Sequence, residues 1–122
     1  MLYPSYAILY VNNPLASADF YSNLLGSQPT EAMPTFALFA LENGLRFGLW
    51  SKQDVQPKAA AILGGSSELG ILVANTQAVH ELYEDWKKKG ITIIQDPTRM
   101  DFGLNFVAVD PDGHRLRVFE HS

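Results

Sequence analysis

The apolar and polar positions of this chain fall into one pattern, met twice. Ser5 to Val11 is a short run of aromatic and aliphatic residues that predicts a strand. Asn13-Pro14 follows as a helix start, because asparagine suits the N-cap and proline the first helical position. Leu15, Ala18, Tyr21, Leu24 and Leu25 recur at helical spacing, and Gly26 is placed to end the helix. Thr35 to Leu41 predicts a strand, Glu42-Asn43-Gly44 a tight turn, and Leu45 to Trp50 the returning strand. Lys52 to Ser67, with Pro57, Gly64 and Gly65, predicts a loop with helical character near Lys58 to Leu63.

The second half repeats the order. Glu68 to Ala74 predicts a strand. Thr76 to Lys89 predicts a helix with Val79, Leu82, Tyr83 and Trp86 on its apolar face, stopped by Gly90. Strands are expected over Ile91 to Gln95 and Leu104 to Val109. Asp110-Pro111-Asp112-Gly113 makes a turn, and His114 to Glu120 the final strand. Asn13 and Asn75 lie 62 residues apart, as do Tyr21 and Tyr83, while the turn glycines Gly44 and Gly113 lie 69 apart. "GLRFGLW" then overlays "GHRLRVF". The expectation is an α+β domain of two tandem βαβββ modules, about 5–51 and 67–120, joined by a linker at about 52–66. Curved mixed sheets would enclose a cleft, with the helices on the outer face.

Strand alternation assigns the faces. The sets expected to face the helices are Ala7, Leu9 and Val11; Leu45, Phe47 and Leu49; Gly70, Leu72 and Ala74; and Leu116 and Val118. The opposite sets are Tyr6, Ile8 and Tyr10; Arg46, Gly48 and Trp50; Leu69, Ile71 and Val73; and Arg115, Arg117 and Phe119. This second group is too apolar for a surface facing only water. It is also too polar for a closed core, where arginines without acidic partners are costly. A partly solvated cavity lined by arginines and aromatic rings fits both facts.

Composition narrows the function. At 122 residues the chain is long enough for one domain that buries roughly two thirds of its unfolded surface. It contains no cysteine, so disulfides and thiolate chemistry are excluded. A formal net charge of −4 argues against nucleic-acid binding, which phosphate neutralisation dominates. Lys87-Lys88-Lys89 sits at a predicted helix C-terminus, where the helix dipole favours it. Neither a signal peptide nor a membrane-spanning apolar run is seen, so a cytoplasmic protein that does not engage a membrane is expected. No Ser-His-Asp or Cys-His set assembles, and "GGSS" at 64–67 lacks the lysine and spacing of a phosphate loop. Asp110 and Asp112 belong to a turn, and His80 and His114 are expected at the surface or in a hairpin.

The paired modules, together with "YVNNPLASADFYSNLLG", "FGLWSK" and "DPDGHRLRVFE", resemble the vicinal oxygen chelate superfamily. Its members include glyoxalase I, extradiol dioxygenases, fosfomycin-resistance enzymes and bleomycin-resistance proteins. In the metal-using members the resemblance places ligands at Tyr6, Gly48, Leu69 and Arg117. These form no plausible donor set, since Gly48 and Leu69 offer no donor and Arg117 repels a cation. Neither a metal nor another cofactor is therefore expected, and no catalytic residue is assigned. The "Y-V" of strand one, "W-S" after the first hairpin, "SE-x-GI" opening the second half and "DPDGH-x-x-RV" at the end also resemble the metal-free, ligand-sequestering members of the phenazine-resistance type. That resemblance implies a homodimer that binds a planar aromatic anion, such as a phenazine carboxylate. Tyr6, Tyr10, Trp50 and Phe119 would sandwich its rings, and Arg46, Arg115 or Arg117 would pair with its carboxylate. Gly48 would leave room beside them. Glu68 would accept a hydrogen bond and Phe102 would rim the pocket. The alternative is a glyoxalase-like isomerase, lyase or dioxygenase acting on a small molecule.

Overall fold

The repeated pattern folds as two copies of a βαβββ unit in a computed structural model that describes residues 5–56 and 68–120. The chain divides into two compact units, Met1–Ala61 and Ile62–Ser122. The helical turn expected near Lys58 to Leu63 lies outside the described residues.

Unit one runs β1 (Tyr6–Val11), α1 (Pro14–Leu25), β2 (Glu31–Ala32), β3 (Phe36–Ala40) and β4 (Arg46–Ser51). The sheet order is β1-β4-β3-β2, with β1 parallel to β4 and the other pairs antiparallel. Both ends of α1 are where the sequence puts them. The Asn13 side chain accepts from the Ala16 N–H at 3.2 Å. Gly26 ends the helix at φ 69°, a left-handed conformation that glycine adopts without a Cβ penalty. The register sets Ala7, Leu9 and Val11 beside Phe47, Leu49 and Ser51, with Ala37 and Phe39 continuing the same face. This face packs beneath α1, where the Tyr21 ring meets Phe47 edge-on at 4.8 Å. The two-residue strand β2 is not predicted, because two exposed residues carry no period to read.

Unit two runs β5 (Glu68–Val73), α2 (Thr76–Lys88), β6 (Thr92–Met100), β7 (Gly103–Val109) and β8 (Arg115–Glu120), in sheet order β5-β8-β7-β6. Asn75 caps α2, its side chain accepting from the Ala78 N–H at 2.9 Å. Val79 and Trp86 are buried with Phe106, Ala108, Leu116 and Val118 as the core under the helix. Strand β6 extends past its expected end at Gln95, through Pro97, with two register shifts on the way. A proline is tolerated there because β6 is an edge strand, where one face of the ladder needs no donor. The Asp110 carboxylate is a turn-former: its Oδ1 accepts the N–H of Asp112 at 2.9 Å and of His114 at 2.8 Å. Among the described residues no helix is long and apolar enough to cross a membrane.

One face assignment is reversed. Leu69, Ile71 and Val73 pair in register with Leu116, Val118 and Glu120, so they share the helix-side face. Gly70 and Leu72 instead share the open face with Arg117 and Phe119, and Glu68 stands beside Arg115. Both alternate sets of β5 are apolar, so hydrophobicity does not choose between them. The pairing with β8 does.

Candidate functional site

Away from α1, sheet one presents Tyr6, Ile8 and Tyr10 from β1, Arg46, Gly48 and Trp50 from β4, and Phe36 and Leu38 from β3. Four of these side chains are aromatic, and Tyr6 and Tyr10 are 55% and 46% exposed. Trp50 is half-buried between edge-on contacts to Tyr10 at 6.5 Å and Phe36 at 6.3 Å. The Arg46 guanidinium lies 6.0 Å from the centroid of the Tyr6 ring, within cation–π range. The space expected at Gly48 is not open. A Cβ there would stand 3.1 Å from Phe36 Cζ and 3.3 Å from Ile8 Cγ1, because the Phe36 ring lies across the glycine.

On the open face of sheet two, Arg117 is held by a chain of hydrogen bonds. Its Nε donates to Glu68 Oε2 at 2.9 Å and its Nη2 to Glu68 Oε1 at 3.2 Å. Its Nη1 donates to Asn105 Oδ1 at 2.7 Å. Asn105 is fully buried and donates through Nδ2 to the Thr98 carbonyl at 2.9 Å. The acidic partner that a half-buried guanidinium needs is therefore Glu68, which reaches it in bidentate geometry. The hydrogen bonds from Arg117 hold the Glu68 carboxyl below the usual carboxylate range; partial burial opposes this, and the charges of Arg117 and Arg115 reinforce it. Arg115 is exposed. Phe119 is half-buried and meets the Phe102 ring edge-on at 5.9 Å, and Leu72 is 62% exposed beside it in register. Here too an aromatic ring covers a glycine: a Cβ on Gly70 would lie 3.2 Å from Phe119 Cε1.

The positions implied for metal ligands do not fit a divalent cation. Tyr6 is exposed, Gly48 lies under Phe36, and Arg117 brings a positive charge. Leu69 faces the helix side, so the β5 residues on the open face are Glu68 and Gly70. Among the described residues no three His, Cys, Asp or Glu side chains gather where they would hold a metal ion. His80 is exposed on α2, and His114 is half-buried after the Asp110 turn. A groove of about 780 Å³ lies beside α1, lined by residues that include Leu15, Asp19, Ser22, Asn23 and Gln28. None of the expected ligand residues lines it.

Phe36 and Asn105 are among the residues of these faces that the sequence expectations do not assign. Phe36 alternates with Leu38 along β3, a strand given no face assignment. Asn105 carries a signal, being a lone polar residue in the otherwise apolar, buried run of β7. Such a residue must find partners where it is buried.

Two mixed sheets, each backed by one helix and each bearing an aromatic and arginine-containing open face, define a protein of the paired βαβββ class. The chain belongs to the Glyoxalase/Bleomycin resistance protein/Dioxygenase superfamily, whose family model matches residues 4–118. Among curated proteins it is similar to the phenazine antibiotic resistance protein EhpR of Enterobacter agglomerans, at 30% identity over 118 residues, covering 94% of this chain and 89% of that protein. It is also similar to a trivalent organoarsenical cleaving enzyme of Bacillus sp. (strain MD1), at 31% identity over 116 residues, covering 91% of this chain and 68% of that enzyme. Among solved structures, protein ATC0852 of Agrobacterium tumefaciens superposes with a TM-score of 0.89 at 48% identity, covering 100% of this chain and 99% of the other.

Proposed function

We propose that this protein binds a flat aromatic anion, of the size and charge of a phenazine carboxylate, and sequesters it without a metal ion and without breaking a bond. The observation that carries the reading is the open face of sheet one. Four aromatic side chains and Arg46 stand there around a glycine, where a metal-using relative would need a donor. Tyr6, Tyr10 and Trp50 offer ring faces and edges, each good contact being worth about 1 kcal/mol. Phe119 and Phe102 offer a second aromatic set on sheet two, with Arg115 and Arg117 beside it. The similarity to a phenazine antibiotic resistance protein supports the ligand class. The reading carries with it a cytoplasmic setting and a second copy of the chain as partner, since two-fold dimers are the commonest assembly.

Titration of the protein with phenazine-1-carboxylate by calorimetry and thermal shift tests this. Saturable binding that raises the melting temperature, with the ligand recovered unchanged by mass spectrometry, is expected. Absence of binding to planar aromatic acids overturns it. A chemically altered ligand supports the second reading, a metal-independent enzyme in which Tyr6 or Tyr10 serves as the acid. The similarity to an organoarsenical cleaving enzyme supports chemistry on the ligand in general and not a particular acid, and this chain has no thiol to offer a soft metalloid.

A further inference from the structure

The contact between Glu68 and Arg117 joins residues 49 positions apart, and it uses the two guanidinium donors that a ligand carboxylate would use. Of the five N–H groups of Arg117, Nε and Nη2 each give one to Glu68, and Nη1 gives one to Asn105. The two partners are not held equally. Asn105 is fully buried and tied to the Thr98 carbonyl, so it pins the guanidinium from beneath. The Arg117 side chain is 18% exposed, whereas that of Glu68 is 41% exposed. Glu68 is also the first residue of β5, an edge strand. The cation is therefore fixed and the anion is the half able to move. Around them the open face is apolar, with Gly70, Leu72 and Phe119 in register.

We propose that Glu68 sets the charge selectivity of this face as a built-in competitor for Arg117, so that a ligand carboxylate reaches the guanidinium only by displacing it. The inference rests on the sequestration reading for its ligand class and goes beyond it in naming the residue that decides between charged and uncharged forms. With Glu68 seated, the face accepts a planar ligand through its rings. An anionic substituent gains little, because the guanidinium is already neutralised. Removing the charge of Glu68 while keeping its shape frees the guanidinium for a ligand carboxylate and adds to the affinity of this face for the anion.

The test compares wild type with Glu68→Gln, using phenazine-1-carboxylate and phenazine-1-carboxamide as probes. The variant is expected to bind the carboxylate about fivefold or more tighter, a change of the size that one partly exposed ion pair supports. Its affinity for the carboxamide should stay within about twofold. An unchanged or lowered carboxylate-to-carboxamide ratio overturns the proposal while leaving the sequestration reading in place. Failure of both proteins to bind either probe removes that reading. The competitor role is then decided separately by titrating benzoate while observing the Arg117 Nε–H resonance. A shift in Glu68→Gln that wild type lacks upholds it, and equal responses overturn it. Glu68→Ala, which cannot hold the fork at all, should behave as Glu68→Gln does; a wild-type response from it counts against the proposal.

Discussion

The ring of Phe36 lies across the α-carbon of Gly48, so close that a methyl group there would meet Phe36 Cζ at 3.1 Å. The glycine and the ring are one device: the missing side chain makes the seat, and the neighbouring strand fills it. Gly48 is where the superfamily resemblance implies an acidic metal ligand, so reinstating one should not simply recreate a metal site. Gly48→Glu is expected to destabilise the protein by about 1–3 kcal/mol through overpacking. The loss should shrink when Phe36→Ala is combined with it. A double-mutant cycle by thermal or urea denaturation checks this, with a coupling of at least ~0.5 kcal/mol expected for residues in direct contact. Additive effects would show that the ring does not depend on the glycine.

Trp50 is held edge-on between Tyr10 and Phe36 and is only half-buried, so its role in the fold is smaller than its ring area suggests. Trp50→Ala should weaken binding of phenazine-1-carboxylate by about 1–3 kcal/mol through lost stacking. Far-ultraviolet circular dichroism should remain that of the folded protein. Calorimetry on the variant checks the first expectation. Unaltered affinity would move the ligand off this face.

At the end of β8 the buried Glu120 carboxylate accepts from the Thr76 hydroxyl at 3.0 and 2.8 Å, from the Leu104 N–H at 3.3 Å and from Arg99 at 3.4 Å. Thr76 is the first residue of α2, so this carboxylate ties the helix start to the sheet. The hydrogen bond from Thr76 acts most strongly to hold its pKa below the ordinary value; burial opposes it, and Leu104 and Arg99 add to it. A carboxyl more acidic folded than unfolded contributes stability that is fully present above the unfolded pKa of about 4.3. That stability is lost as pH falls through the lower, folded value. Melting temperatures should therefore show wild type more stable than Glu120→Gln at pH ~7. The two should converge as pH drops below ~4. A gap that persists unchanged into acid would assign the effect to shape rather than charge.

The sequence disclosed the parts of this fold that local chemistry dictates. Asn13, Gly26, Asn75 and Gly90 mark the helix ends because caps and left-handed turns depend on near neighbours. It disclosed less where two distant segments decide an outcome together. Both alternate sets of β5 are apolar, so only its pairing with β8 sets which one faces the helix. The strand expected to stop at Gln95 runs on through Pro97, since no local pattern reveals that β6 is an edge strand that tolerates the proline. Arg117 was legible as a residue of the open face. Its clasp on Glu68 and its tie to Asn105 were not, because the three come from different strands. The Phe36 seat on Gly48 escaped for the same reason.

Arg46 differs from Arg117 in its surroundings, and that difference predicts which arginine is the readier to pair with a carboxylate. Among the described residues no carboxylate forms an ion pair with Arg46, and its guanidinium rests over the Tyr6 ring. A cation on an aromatic face keeps most of its hydrogen-bonding edge for a new partner. Arg46→Gln is therefore expected to weaken phenazine-1-carboxylate binding by about 1 kcal/mol, the modest size that suits an exposed charge pair. Binding of phenazine-1-carboxamide should hardly change. Raising the salt concentration should erase most of the difference between wild type and variant, since exposed pairs are screened over about 10 Å at 0.1 M salt. Calorimetric titrations of both ligands at low and high salt check all three expectations. An equal loss for acid and amide would mean that Arg46 serves only to position Tyr6.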